Sequence, residues 1–481
     1  MTTVVTTKNA VRELVPVVRE RLADLETPVS AFAKLRPLGG AFLLESVEGG
    51  ERMGRYSFIG VLPRATLVFR DGVASILDDG GVRAVDYTDP LILLRSELAR
   101  YKRTGGGDLP RFSGGAVGYV GYEAARRFER LPAAPRDVLR LPEAAFSIYD
   151  TVVCFDHVRH SLLVIAHEVE GEREDASSRI ARVFSALDAP ISLPTQSERV
   201  VRAVTANGTA DEYRARVRRA RELIMEGDCI QIVVAQRFDV RPAPEPLALY
   251  RALRHVNPSP YMFLIDVAGA ALVGASPEPF VRVENGRLVM YPIAGTRPRG
   301  RDETEDAAME AELRASEKER AEHVMLVDLA RNDIGRVSRA GTVRVRELMR
   351  VDRFSHVMHL TSVVDGELAP GLDALDAFRA CFPAGTVSGA PKIRAMERIA
   401  ELETDRRGPY AGAVGYLGFD GRMDTCIGIR TAVIADGVCR IQAGAGIFAD
   451  SDPAAEELET RAKARALLRA IEIVDGAEAV R

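Results

Sequence analysis

The chain has 481 residues, of which 47% are hydrophobic and 28% charged, the composition of a globular protein with two or three domains or one large intertwined unit. A formal net charge of −4 excludes the electrostatic footprint of a nucleic-acid binder. Five cysteines without a C-x-x-C pair, no apolar run near the ~18 residues that span a bilayer, and an opening stretch unlike a signal peptide predict a cytoplasmic protein with no membrane partner.

A first domain is predicted over 1–190 and a second over 200–481. Residues 41–47 (AFLLESV) and 65–77 (ATLVFRDGVASIL) alternate around turn signals, as strands do, and residues 152–169 form a hairpin pattern. Residues 104–110 (TGGGDLP) are a loop, and the polar, proline-containing residues 189–199 are the expected link. From Thr209 a helix is predicted over 209–228, with Thr209 as N-cap and Glu212 completing a capping box. Its apolar stripe is Tyr213, Val217, Ala220 and Ile224. Residues 229–240 (CIQIVVAQRFDV) are predicted as a buried strand, and strands and helices alternate from there to the end. No internal repeat or low-complexity tract occurs. Periodicity alone reads as mixed α and β.

Two stretches carry candidate chemistry. A long helical pattern from about Asp306 to residue 333 holds Glu319 and Glu322. Residues 442–460 (QAGAGIFADSDPAAEELET) predict a glycine-rich turn at Gly444, Ala445 and Gly446, then a helix capped by Asp452 with Pro453 at its first position. Glu456 and Glu459 share one face of that helix. Two helices each presenting carboxylates at i and i+3 offer four hard oxygens to a divalent cation, Mg²⁺ before others. Without a cation, two like charges ~4 Å apart repel by about 4 kcal/mol at an effective dielectric of ~20. Either pair alone reads as half of a solvated face, because Lys and Arg surround both, and only the neighbouring motifs reverse that reading.

The motifs in order, LLES (43–46), NPSPYMF (257–263), GASPE (274–278), PIAGTRPRG (292–300), KERAEHVMLVDLARND (318–333), PAGTVSGAPK (383–392), GIRT (428–431) and QAGAGI (442–447), resemble the chorismate-utilising enzyme family nearly end to end. Within it the chain is most similar to the large subunits of anthranilate synthases. The resemblance implies an α+β fold, a large antiparallel sheet core flanked by helices with an intertwined N-terminal domain. It implies Mg²⁺ on Glu319, Glu322, Glu456 and Glu459, bridging to the ring carboxylate of chorismate. It implies Glu278 as the acid for the departing hydroxyl and His359, in SHVMHL, as a proton acceptor; the neighbouring His356 is expected to be a core histidine. Chorismate contacts are implied for Gly295, Thr296, Thr386, Tyr410, Arg430, the amides of Gly444, Ala445 and Gly446, and Lys392.

Two positions separate branches of the family. Relatives that add water resemble one another in a lysine base where this chain has Gln231, and an amide cannot deprotonate water, so ammonia is the expected nucleophile. Aminodeoxychorismate synthases resemble this chain but carry a lysine where PIAGT has Ala294, which cannot attack. An aminodeoxychorismate synthase and a silent tryptophan-sensing homologue are the competing readings. Glu45, Ser46, Asn257, Pro260, Tyr261 and Met262 resemble a tryptophan feedback pocket. No cysteine lies in a G-x-C-x-G elbow, so the resemblance implies a separate glutamine amidotransferase supplying ammonia, in a hetero-oligomer of two large and two small subunits.

Overall fold

The computed structural model describes residues 11–46, 54–133, 135–171, 174–191, 200–353 and 357–476. Most of the expected link, residues 192–199, and His356 lie outside the described residues. Two large, almost wholly antiparallel sheets form the centre. One runs from Ala203–Ala206 through Gln231–Arg241, Val438–Ile447, Thr431–Ala435, Ala270–Ser276 and Tyr261–Val267 to Phe42–Glu45 and on to Tyr56–Val61, ending at Tyr101–Arg103. The other runs from Ile293–Pro298 and Val357–Glu367 through Met423–Ile427 and Ala413–Gly418 to Gly115–Val120, ending at Gly81–Asp86. Both sheets therefore mix strands from before residue 190 with strands from after residue 200, the intertwined α+β arrangement expected.

The seam in the first sheet is the pairing of Phe42–Glu45 with Tyr261–Val267, which sets Glu45 opposite Met262. Aromatic side chains fill the space between the sheets. Phe42 meets Tyr149 edge-on with ring centroids 4.8 Å apart, and Phe112 meets Tyr416 at 4.5 Å. All four are buried, and each is worth ~1.5–3 kcal/mol on burial.

Helices Ala210–Met225, Pro246–Val256 and Pro453–Val474 cover the first sheet, and Glu317–Gly335 and Ala374–Cys381 cover the second. The capping box at Thr209 forms as expected: Thr209 Oγ1 accepts from the Glu212 amide at 3.2 Å while Glu212 Oε2 accepts from the Thr209 amide at 2.7 Å. The fourth fully buried position on that helix is Leu223 rather than Ile224, which is only partly covered.

Two expected elements differ. The pattern from about Asp306 to 333 is two helices, Glu303–Ala315 and Glu317–Gly335, broken at Ser316, whose side chain caps the second. Serine suits an N-cap better than a helix interior because its hydroxyl competes for backbone groups. Gly444, Ala445 and Gly446 form no turn; they lie within the strand Val438–Ile447. There glycine serves close approach rather than chain reversal.

Candidate active site

A cavity of about 610 Å³ opens between the ends of the two sheets, within the size range of small-molecule sites. The strand Gln231–Arg241 contributes Gln231, Val438–Ile447 contributes Gly444 and Gly446, and the bulged strand Ile293–Pro298 contributes Gly295 and Thr296. Helices Glu317–Gly335 and Pro453–Val474 bring Glu319, Glu322, Glu456 and Glu459 to its mouth. Glu278, His359, Thr386, Tyr410 and Arg430 complete the wall.

Strand alternation decides what each glycine offers. The amides of Val233 and Ala235 turn away from Val438–Ile447, towards the Ser388 carbonyl and Glu403. Their partners Gly446 and Gly444 accordingly turn their own N–H and C=O groups outward as well. Ala445, paired with Val234 between them, spends its amide in the ladder. It therefore adds nothing to the anion site expected of all three residues. The missing Cβ atoms make room for polar side chains: a Cβ on Gly444 would stand 2.7 Å from the Tyr410 hydroxyl, and one on Gly446 2.6 Å from Gln231 Nε2. Gln231 Oε1 and Thr386 Oγ1 are both buried without a hydrogen-bond partner.

Burial raises the Glu278 carboxyl to about 7, against the weaker opposing pull of Thr386 and the Lys463 ammonium. The Thr386 hydroxyl makes no hydrogen bond of ordinary geometry there. Glu278 thus keeps its proton through much of the neutral range, as a general acid must. His359 Nδ1 lies 3.1 Å from the Gly295 carbonyl. A carbonyl only accepts, so Nδ1 carries the hydrogen and Nε2 the lone pair. Gly295 turns its carbonyl that way through a left-handed φ of +69° at the bulge. Burial and the Arg430 charge hold His359 below its ordinary value, so it is neutral at pH 7.

Arg430 is also in the left-handed region, at φ +50°, and donates to the Lys463 carbonyl at 3.0 Å. Such backbone strain in a non-glycine residue collects where a side chain must be aimed. Tyr410, pushed up to about 12 by burial, remains a neutral donor.

The four glutamates face one another across two helices. Burial raises Glu322, with Glu319 and Glu459 adding to it, and burial with Glu459 raises Glu456. Among the described residues no three acidic, histidine or cysteine side chains stand close enough to chelate an ion as they are. Glu319 is held by Arg297 at 3.1 Å, Glu456 by the Ser451 hydroxyl at 2.6 Å and Glu459 by Lys463 at 2.6 Å. The donor set nevertheless fits a hard divalent cation, because mutually repelling carboxylates are relieved by one.

Lys392 does not reach the cavity. Its ammonium is buried 2.6 Å from Asp333 and 2.7 Å from the Cys381 carbonyl, a structural pair beneath the site. Sequence reasoning missed Lys463, which bridges Glu459 and the Gly444 carbonyl at 2.9 Å. Its signal was present: it lies one helical turn beyond Glu459.

Glu45, Ser46, Pro260, Tyr261 and Met262 line a second, tight cavity of about 50 Å³ at the seam between the two halves of the chain. Asn257 is not in its wall; it ends the helix Pro246–Val256. Tyr261 donates to Asp424 at 2.8 Å. Glu45 is buried, accepting from the Tyr250 hydroxyl and lying 3.3 Å from Arg254.

The family model described as chorismate binding enzyme matches residues 41–469. The chain belongs to that family. Among chorismate-binding enzymes it is 49% identical over 479 residues to anthranilate synthase component 1 of Streptomyces coelicolor, covering 97% of this chain and 90% of that one. It is 45% identical over 473 residues to the protein of the same name from Acetivibrio thermocellus, covering 95% of each. The crystal structure of anthranilate synthase component I from Streptococcus pneumoniae superposes with a TM-score of 0.79 at 40% identity, covering 86% of this chain and 92% of that one. Among the described residues of this chorismate-binding enzyme, no helix is long and apolar enough to cross a membrane.

Proposed function

We propose that the chain is the chorismate-converting component of an anthranilate synthase, forming anthranilate and pyruvate from chorismate and ammonia. The observation that carries this reading is a buried Glu278 holding its proton near neutral pH in the cavity where Gln231 and Ala294 stand. With no lysine at either position, neither Gln231 nor Ala294 supplies a base for water or a covalent nucleophile.

The steps follow from the wall. Arg430 and the Tyr410 hydroxyl hold the enolpyruvyl carboxylate, with the outward amides of Gly444 and Gly446 beside them. Ammonia forms the new C–N bond at ring C2, the ring double bonds shift, and the C–O bond at C4 breaks. Glu278 gives its proton to that oxygen, which leaves as water. The ammonium formed at C2 returns a proton to the Glu278 carboxylate. His359 Nε2 then takes the C2 proton as the C3–O ether bond breaks and the ring becomes aromatic; the enolpyruvate released takes up a proton at its methylene carbon and departs as pyruvate.

Glu319, Glu322, Glu456 and Glu459 would hold Mg²⁺, which supplies Lewis-acid polarisation and orientation of the ring carboxylate. All five cysteines are buried, which leaves no exposed thiolate to hydrolyse glutamine. A separate amidotransferase would deliver the ammonia, and two subunits of each kind is the assembly we expect. Five free thiols fit a cytoplasmic setting. The Glu45–Tyr261 pocket is assigned to L-tryptophan as feedback inhibitor; at about 50 Å³ its walls must part to admit an indole.

The test is the fluorescence of anthranilate from purified chain, chorismate, Mg²⁺ and ammonium, with pyruvate measured alongside. Equal amounts of both are expected. Chorismate consumed without either product would indicate amination at C4, the aminodeoxychorismate reaction. No consumption would overturn the reading.

A further inference from the structure

On the far side of Glu45 from the effector cavity lies an open cleft of about 430 Å³ that the proposed reaction does not use. Its floor is Phe155, and its walls carry Arg251 and Arg254 from one helix and His157 and His160 from a hairpin turn. The acidic groups in it are already neutralised. Glu26 binds Lys34 at 2.5 Å, and Asp156 binds Arg55 at 2.8 Å as well as the amides of Val158 and Arg159. Arg251 has no hydrogen-bond or ion-pair partner among the described residues. Among the described residues the Arg254 guanidinium pairs with Glu45 alone, through a single contact at 3.3 Å.

A second observation points to a ligand. Ser161, 4% exposed, lines the cleft, and its hydroxyl is buried without a hydrogen-bond partner. Buried polar groups are nearly always satisfied, so an orphaned hydroxyl in a concave wall marks a place where something else completes the bond. His157, pinned through Nε2 to Ser57 at 2.7 Å, is a fixed rather than mobile part of that wall.

We propose that this cleft binds a small oxyanion, a carboxylate or a phosphate, clamped by Arg251 and Arg254 over the Phe155 ring with Ser161 donating to it. Two guanidinium groups one helical turn apart present forked donors matched to either anion. The clamp also has a consequence for Glu45. An anion that draws Arg254 outward leaves the buried Glu45 carboxylate with the Tyr250 hydroxyl alone, and so alters the wall of the effector pocket. This coupling rests on the assignment of that pocket to tryptophan; the binding itself does not.

The test is isothermal titration of the whole chain with inorganic phosphate and, separately, with citrate, at fixed ionic strength, for the wild type, Arg251→Gln and Ser161→Ala. Saturable binding of one anion is expected, weakened about tenfold or more in Arg251→Gln, the worth of one charge-assisted hydrogen bond. The anion that saturates identifies the class. No saturable binding of either anion, or binding unchanged in both variants, overturns the site. Tryptophan affinity measured with and without the anion reads the coupling. An unchanged affinity removes the coupling alone, and a chain that binds the anion but no tryptophan refutes the effector assignment while leaving the cleft intact.

Discussion

Gln231 lies across Gly446 so closely that a Cβ at position 446 would stand 2.6 Å from its Nε2. The amide thus occupies the place where a side chain on the neighbouring strand would be, with its oxygen directed into buried space without a partner. Gly446→Ala is expected to leave the fold intact, since this residue does not need a left-handed φ, and to push the amide aside. A displacement near 1 Å at a reacting centre costs about a hundredfold. Steady-state kinetics of the variant with ammonium should show that loss chiefly in kcat.

Glu278 supplies a pH signature. Its carboxyl titrates at about 7 in the fold and near the ordinary 4.5 when unfolded, so the folded protein binds the extra proton between those values. Activity that needs the acid form falls as pH rises through about 7. Stability also declines over the window from 4.5 to 7, by about 3 kcal/mol at most. Glu278→Gln should lose about 10²–10⁴ in kcat, yet unfold at higher urea than the wild type at pH 8 and equally with it at pH 4.

The facing glutamates predict a metal dependence. Chelation with EDTA should abolish anthranilate formation and added Mg²⁺ restore it. Glu322→Gln, which keeps shape and loses charge, should leave a chain with no turnover at any Mg²⁺ concentration. Because burial and its neighbours already penalise the ionised Glu322, the variant's melting temperature without metal should equal or exceed that of the wild type.

Lys392 is expected to matter for folding rather than for substrate affinity. Lys392→Met strands the buried Asp333 carboxylate and should cost ~3–5 kcal/mol, read as a lower urea midpoint. Adding Asp333→Asn should recover most of it.

The positions that gather in the large cavity were legible because each sits in a short motif: Glu278 after a strand, the paired glutamates at helical spacing, Arg430 two residues after Gly428. Lys392 was misread because its partner Asp333 is 59 residues away, and a buried ion pair leaves no local pattern. Ala445 was misread for a different reason. Glycines at 444 and 446 suit a turn or a crowded strand equally, and only the pairing with Gln231–Arg241 shows that alternate amides face away from one another. The break at Ser316 was visible as a good capping residue inside a helical run, but helical period continues across it. The sheet order, which threads residues 42–45 between the nearby strand Tyr56–Val61 and the distant strand Tyr261–Val267, has no sequence signal at all.

If the Glu45 pocket takes tryptophan as proposed, that threading limits how inhibition can be lost. The strand holding Glu45 is an interior member of the sheet that also carries Gln231, Gly444 and Gly446. Removing it would leave the backbone of Tyr261–Val267 as a raw edge, open to pairing with other chains. Among the described residues the proposed effector pocket is built into this sheet rather than into a separate module, so truncation is expected to disrupt the sheet before it yields a desensitised enzyme. Under the proposed tryptophan assignment, release from feedback is expected from single side-chain replacements at the seam, each of which must also preserve this interior strand.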